Sequence, residues 1–267
     1  MKLPIALLLL AATLPAQPLK PETVQAFDCY VQSAEARMRA GERFLATDSD
    51  AALQDQLVRG RKIVTIPANG ANPHKLTGGM VYDWIGVVFI PGATVERTVR
   101  MLQDYDHRAL YFSEIVASAK LLCRTGEDRF RFAMQLKEPV VVDTESDVAW
   151  ERVDPRRWQC RSYSTKVHEV GKQHNYLLRL NSYWRFAETD KGVYVQGETV
   201  TLSGEFGSLM RTLGSLAGIN PEKSLKKSLE QMRESLVKPG LEFARPPAGM
   251  PDCGDPYRLP GCAISAR

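Results

Sequence analysis

The cleanest pattern along the chain is an alternation. Phe130, Phe132, Met134 and Leu136 are interleaved with Arg129, Arg131, Ala133 and Gln135, so one face of this stretch is dry and the other wet, as in a half-buried β-strand. Val140, Val142, Thr144, Val148 and Trp150 alternate in the same way with Asp143, Glu145, Asp147 and Glu151. Strands are also predicted over 115–124, 159–170, 175–188 (with Leu178, Leu180, Trp184 and Phe186 on one side) and 193–203, with turns at Thr125-Gly-Glu-Asp128, Asp154-Pro155 and Asp190-Lys-Gly192. Ahead of these, Val81 to Ile90 is apolar, rich in β-branched and aromatic residues, and ends at Pro91-Gly92, which predicts one more strand.

Helical spacing appears at both ends of this series. Val24, Phe27, Val31, Ala34 and Met38 share one helical face and predict a helix over 22–38, with Pro21 near its first turn. A weaker helical stretch over 48–59 carries Leu53 and Leu57, and the turn formers of 67–79 predict a loop. Thr94 is placed to cap a short helix with Val95, Thr98, Val99 and Leu102 as its stripe, and a further helical turn is expected over 104–113. Leu225, Leu229, Met232 and Leu236 define a helix over 221–237, opened by Pro221 and closed by Pro239-Gly240. The order predicts an α+β chain. Short connections make the sheet antiparallel, and its dry face needs a cover that the last helix can provide.

Composition narrows this picture. With 267 residues, 44% hydrophobic, 25% charged and a net charge of +4, the chain has an ordinary globular balance. Wholesale disorder is excluded, and a charge this mild does not argue for nucleic acid. No run approaches the ~20 apolar residues that span a bilayer, which leaves transient membrane contact and no stable insertion. At the start, Met1-Lys-Leu3, the apolar run Ile5 to Ala12 and Pro15-Ala-Gln17 form a secretory signal pattern, with cleavage expected after Ala16. The mature protein is therefore expected outside the cytoplasm, periplasmic or extracellular, where disulfides are permitted. Cys253 and Cys262 lie close together in a proline-rich tail and are the expected bridge. Cys29 reads as a small buried apolar residue. Cys123 and Cys160 fall in strand-like segments, as cross-strand neighbours or separate core thiols.

The element order resembles the helix-grip layout of the START and Bet v 1-like superfamily. The matching phrases are Trp84-Ile-Gly-Val-Val-Phe-Ile-Pro-Gly-Ala93, Leu102-Gln-Asp-Tyr-Asp106, Leu180-Asn-Ser-Tyr-Trp-Arg-Phe186 and Gly192-Val-Tyr-Val195 through Glu198 to Leu202-Ser203. They are also similar to exported bacterial START-like proteins of unassigned function. The resemblance implies a curved antiparallel sheet wrapped around a long C-terminal helix, with an apolar cavity between them. It divides the chain into a signal peptide (1–16), a helical extension and loop (17–79), a helix-grip domain (80–238) and a cysteine-bearing tail (239–267).

The motif inventory is mostly negative. There is no nucleophile elbow, Walker loop or dinucleotide fingerprint. His168-Glu169 opens like a zincin motif, but Lys172 stands where the second histidine belongs. No metal and no cofactor are expected. The glycine-rich segment from Gly204 to Gly218 reads as a connection over the cavity mouth. The expected cavity lining is Phe130, Phe132, Met134, Trp150, Trp184, Phe186, Leu229 and Met232, with His168, Arg179, Tyr183 and Glu198 as candidate polar contacts. The expected function is an exported binding or carrier protein for a hydrophobic small molecule, lipid-like or aromatic. Two alternatives stand beside it. One is a polyketide cyclase or aromatase, which needs ionisable side chains at the cavity bottom. The other is an envelope interaction protein with a vestigial cavity.

Overall fold

The computed structural model describes residues 19–262 apart from 42, 60, 71, 138–139, 172–175 and 205–219. The expected signal segment, Lys172 and most of the glycine-rich connection lie outside the described residues.

Among those residues the chain begins with α1 (Pro21–Ala40) and α2 (Ala51–Val58), followed by two short strands, β1 (Val64–Pro67) and β2 (His74–Leu76), and the long β3 (Gly79–Pro91). Then come α3 (Val95–Gln103), a 3-10 turn (Tyr105–His107) and α4 (Arg108–Tyr111). Six long strands follow: β4 (Val116–Gly126), β5 (Arg129–Leu136), β6 (Val142–Asp154), β7 (Arg157–Glu169), β8 (Leu177–Thr189) and β9 (Gly192–Gly204). The last helix is α5 (Pro221–Val237). Thr94 caps α3 by accepting from the Arg97 amide, and Asn220 caps α5 by accepting from the Lys223 amide.

The sheet runs β1-β3-β9-β8-β7-β6-β5-β4, with β2 also on β3 and each pairing antiparallel. Register shifts at Leu121/Cys123 and Glu145/Ser146 mark irregularities of the kind that bend a strand. Its inner face holds α5, whose Leu225, Leu229, Met232 and Leu236 pack with Val88, Ile90, Val193, Val195 and Phe186 in the main core. Gly86 and Gly197 are register partners beneath this contact. A Cβ on Gly86 would lie 2.7 Å from Leu229 Cδ1, and one on Gly197 would lie 2.7 Å from the Trp184 ring. The missing side chains are what allow the helix and the tryptophan to sit this close. The fold is the α+β helix grip.

The outer face is not left to solvent. Phe27 and Val31 of α1 pack on Val81, Tyr163, Tyr183, Val200 and Leu202, and Leu57 of α2 packs on Ile85, Val87 and Phe89. Arg185 on β8 donates to the carbonyls of Met38 (2.8 Å) and Phe44 (2.9 Å), fixing the end of α1. The segment 67–79, expected as a loop, contains β2, and β1 immediately precedes it. Strands of three and four residues are too short to leave a readable alternation.

The tail corrects the cysteine expectation. The bridges are Cys29–Cys262 and Cys123–Cys253, and Cys160 is a buried free thiol. The nine steps along the chain from Cys253 to Cys262 can span up to about 30 Å when extended, so proximity in sequence did not mean proximity in space. Cys253 is held at the β4 edge, where its amide donates to Arg124 O and the Arg124 amide donates to Pro251 O. The Tyr257 amide then bonds Asp147, and the Cys262 amide reaches Gln32 on α1. The tail is a strap from the edge strand to the outer helix, and it covers backbone groups that an edge strand would otherwise expose. Cys29, expected to be a plain apolar residue, is the strap's anchor on α1.

Candidate functional site

A pocket of about 230 Å³ lies between the inner face of the sheet, α4 and the first turns of α5. Strand alternation decides which side chains reach it. The even-numbered positions of β5, β6 and β8 point inward, so Phe132 and Met134, Val148 and Trp150, and Leu180 and Trp184 form its apolar walls. Neutral hydroxyls of Ser146, Ser162, Ser182, Thr199 and Thr201 supply its polar patches. Surface grooves of about 320 and 650 Å³ are larger, but they are bordered by charged side chains such as Arg39, Arg161, Asp154 and Arg156.

Four of the eight expected lining residues line this pocket: Phe132, Met134, Trp150 and Trp184. The other four, Phe130, Phe186, Leu229 and Met232, point to the same side but are sealed in the packed core at 0–2% exposure and do not border the opening. Periodicity identifies a face; it cannot say which part of that face is filled.

The four candidate polar contacts all fall outside the pocket. His168 is exposed on the outer side of β7. Arg179 is on the outer side of β8, with its Nη1 donating to Leu178 O at 2.9 Å. Tyr183 and Glu198 are register partners buried on the outer face, because the odd positions of β8 and the even positions of β9 face α1. There Tyr183 stacks edge-on against Tyr163, and both hydroxyls donate to Glu35 of α1. Glu198 belongs to a buried ionic group. Arg37 of α1 donates to it at 2.5 Å and to Asp83 Oδ2 at 3.2 Å, and the Tyr30 hydroxyl donates to Asp83 at 3.0 Å. Two carboxyl groups therefore share one guanidinium under a helix. Burial, and then the adjacent Asp83 charge, push the Glu198 carboxyl up to about 7. Burial also raises Asp83, against the pull of Arg37. This group locks α1 to the sheet and faces away from the pocket.

The polar residue that the sequence reading missed is Arg108. It is the first residue of α4 and, among the described residues, the one charged side chain lining the pocket. Its guanidinium lies 4.7 Å from the ring centroids of both Tyr105 and Phe132. Its Nη2 donates to Leu102 O at 2.7 Å, and its Nε is buried with no acceptor. Burial pulls its pKa down. Tyr105 is fixed in turn by the Trp150 indole, which donates to its hydroxyl at 2.9 Å. The nearby Asp104 is occupied, with Oδ1 on His107 and Oδ2 accepting from the Tyr111 hydroxyl and the Ala244 amide. Cys160 also lines the pocket, and burial pushes its thiol up to about 12, the range of an inert thiol.

No family model and no curated relative matches the chain. Solved structures do resemble it. A STAR-related lipid transfer protein fragment from Xanthomonas axonopodis is 17% identical, with 62% of this chain and 97% of that chain covered and a TM-score of 0.47. A START superfamily protein from Mycobacterium smegmatis is 11% identical (60% and 100% covered, TM-score 0.42). The Zhui aromatase/cyclase from Streptomyces is 12% identical (58% and 92% covered, TM-score 0.42). The START/Bet v 1-like character of the fold rests on this chain's own strand order, with α5 in the grip of the sheet.

Proposed function

We propose that the chain is an exported binding or carrier protein for a hydrophobic small molecule held between the sheet and α5. The observation that carries this reading is the pocket of about 230 Å³, walled by Phe132, Met134, Trp150 and Trp184 inside an otherwise closely packed interior. That volume equals roughly eight waters at ~30 Å³ each, enough for a compact apolar ligand. Such a ligand is held by burial, at ~25 cal/mol per Å² of apolar surface removed from water, with a few polar groups setting its orientation. The two disulfides suit an oxidising compartment. No helix among the described residues is long and apolar enough to cross a membrane. The cyclase alternative needed His168, Arg179, Tyr183 or Glu198 at the cavity bottom, and it has none of them there.

The test is native mass spectrometry of the full chain, purified without detergent, before and after extraction with organic solvent. The expected result is one extractable apolar molecule per chain, which the extracted protein takes up again from a lipid extract. A chain that carries nothing and takes up nothing overturns the reading.

A further inference from the structure

The one charge that the described residues bring to the pocket says what kind of apolar molecule fits. A guanidinium cannot shed its proton in a protein, so Arg108 brings a full positive charge to the wall of an apolar pocket. Among the described residues no carboxylate forms an ion pair with it. Asp104, the nearest in sequence, has both its oxygens engaged by His107, Tyr111 and the Ala244 amide. Nη2 is the donor that finds a protein acceptor, on Leu102 O, while Nε is enclosed with none. The Tyr105 and Phe132 rings, stacked on each other with centroids 5.0 Å apart, both lie 4.7 Å from the guanidinium, a cation–π contact that does not neutralise it. A buried charge is ordinarily paired. Here, among the described residues, Asp104 acts on the guanidinium only at a distance and no carboxylate is in contact with it, and the side chain that lacks such a partner borders an apolar opening of the interior.

We infer that the ligand is a carboxylic acid with an apolar body, its carboxylate paired with Arg108 and its body lying against Met134, Trp150 and Trp184. This deepens the proposed function and rests on it. A single negative charge is favoured over a doubly charged phosphate, because the remaining polar groups of the pocket are neutral hydroxyls. A phosphate would leave one charge unmatched in an apolar site. The fork of the guanidinium also suits the two oxygens of a carboxylate.

Calorimetric titration of the full chain at neutral pH with octanoate, 1-octanol and octyl phosphate tests this. Octanoate is expected to bind tenfold or more tightly than 1-octanol and more tightly than octyl phosphate. Arg108→Met should remove the preference for octanoate while keeping the octanol affinity, and Arg108→Lys should retain part of the preference. Equal binding of octanoate and octanol by the native chain overturns the inference and leaves the apolar-ligand reading standing. Tighter binding of octyl phosphate overturns the choice of carboxylate. Failure of every probe to bind overturns both readings. The comparison within the native chain decides the matter even if Arg108→Met does not fold.

Discussion

Glu198 has the sharpest consequence at the scale of one side chain. Its carboxyl titrates near 7 in the fold against an ordinary 4.5, so between those values the folded chain holds a proton that the unfolded chain has released. Linkage then fixes the sign: the stability this group contributes is present below pH 4.5 and is lost as pH rises through about 7. Glu198→Gln should remove that slope. Subtracting the variant's urea-unfolding free energies from those of the native chain should give a difference that falls by about 3 kcal/mol across this window, at ~1.4 kcal/mol per pKa unit. A flat difference would mean that Glu198 is ionised throughout. Cys160 gives a second expectation. It is the one cysteine outside the two bridges, and its thiol is buried and raised to about 12. Iodoacetamide at neutral pH should label no cysteine in the native chain and one after denaturation, read by intact mass. Arg108 shows the limit of reading at this scale. It sits where a 3-10 turn passes into four residues of helix, so no period assigned it a face, and its meaning depends on the Tyr105 ring of that turn together with Phe132 and the pocket walls of distant strands.

At the scale of elements, long periodic segments were legible and short ones were not. The α1 face of Phe27, Val31 and Ala34, the α5 face of Leu225, Leu229 and Met232, and the inward set of β5 each follow a regular spacing over several turns or pleats. What covers each face was legible only for α5. Tyr183 and Glu198 alternate with Trp184 and Gly197, so as candidate cavity contacts they stand on the wrong side of the sheet, where α1 covers them. A buried tyrosine and a buried glutamate have the same letters as exposed ones. The paired glycines under α5 yield a test of the grip itself. Gly86→Val places methyl groups where Leu225 and Leu229 already stand. Overpacking of this kind costs about 1–3 kcal/mol, so the thermal midpoint should drop while far-ultraviolet circular dichroism keeps its shape. The same substitution at Gly249, where a Cβ meets nothing within 4 Å and φ is not positive, is the control for steric crowding.

Across the whole molecule the structure is a sheet covered twice: α3, α4, α5 and the start of the tail inside, α1, α2 and the end of the tail outside. The tail's two bridges join segments 130 and 233 residues apart, so they constrain almost the entire chain. Replacing Cys29 and Cys262 together by serine should cost about 2–5 kcal/mol, measured by chemical denaturation. Peptide mapping without reduction should find Cys123 joined to Cys253 in that variant, never to Cys160. The sequence revealed the tail as a separate stretch but not its route, because an extended strap has no period to read. The central claim is that the interior pocket is where a ligand goes, and a titration with Nile red, an uncharged apolar dye, tests it most directly. The native chain should bind one dye per chain with a saturable rise in emission. Ser182→Phe, which places a ring at a pocket-lining position, should weaken binding tenfold or more with an unchanged fold. Absence of saturable binding to the native chain, or equal binding to a folded Ser182→Phe variant, would contradict the account.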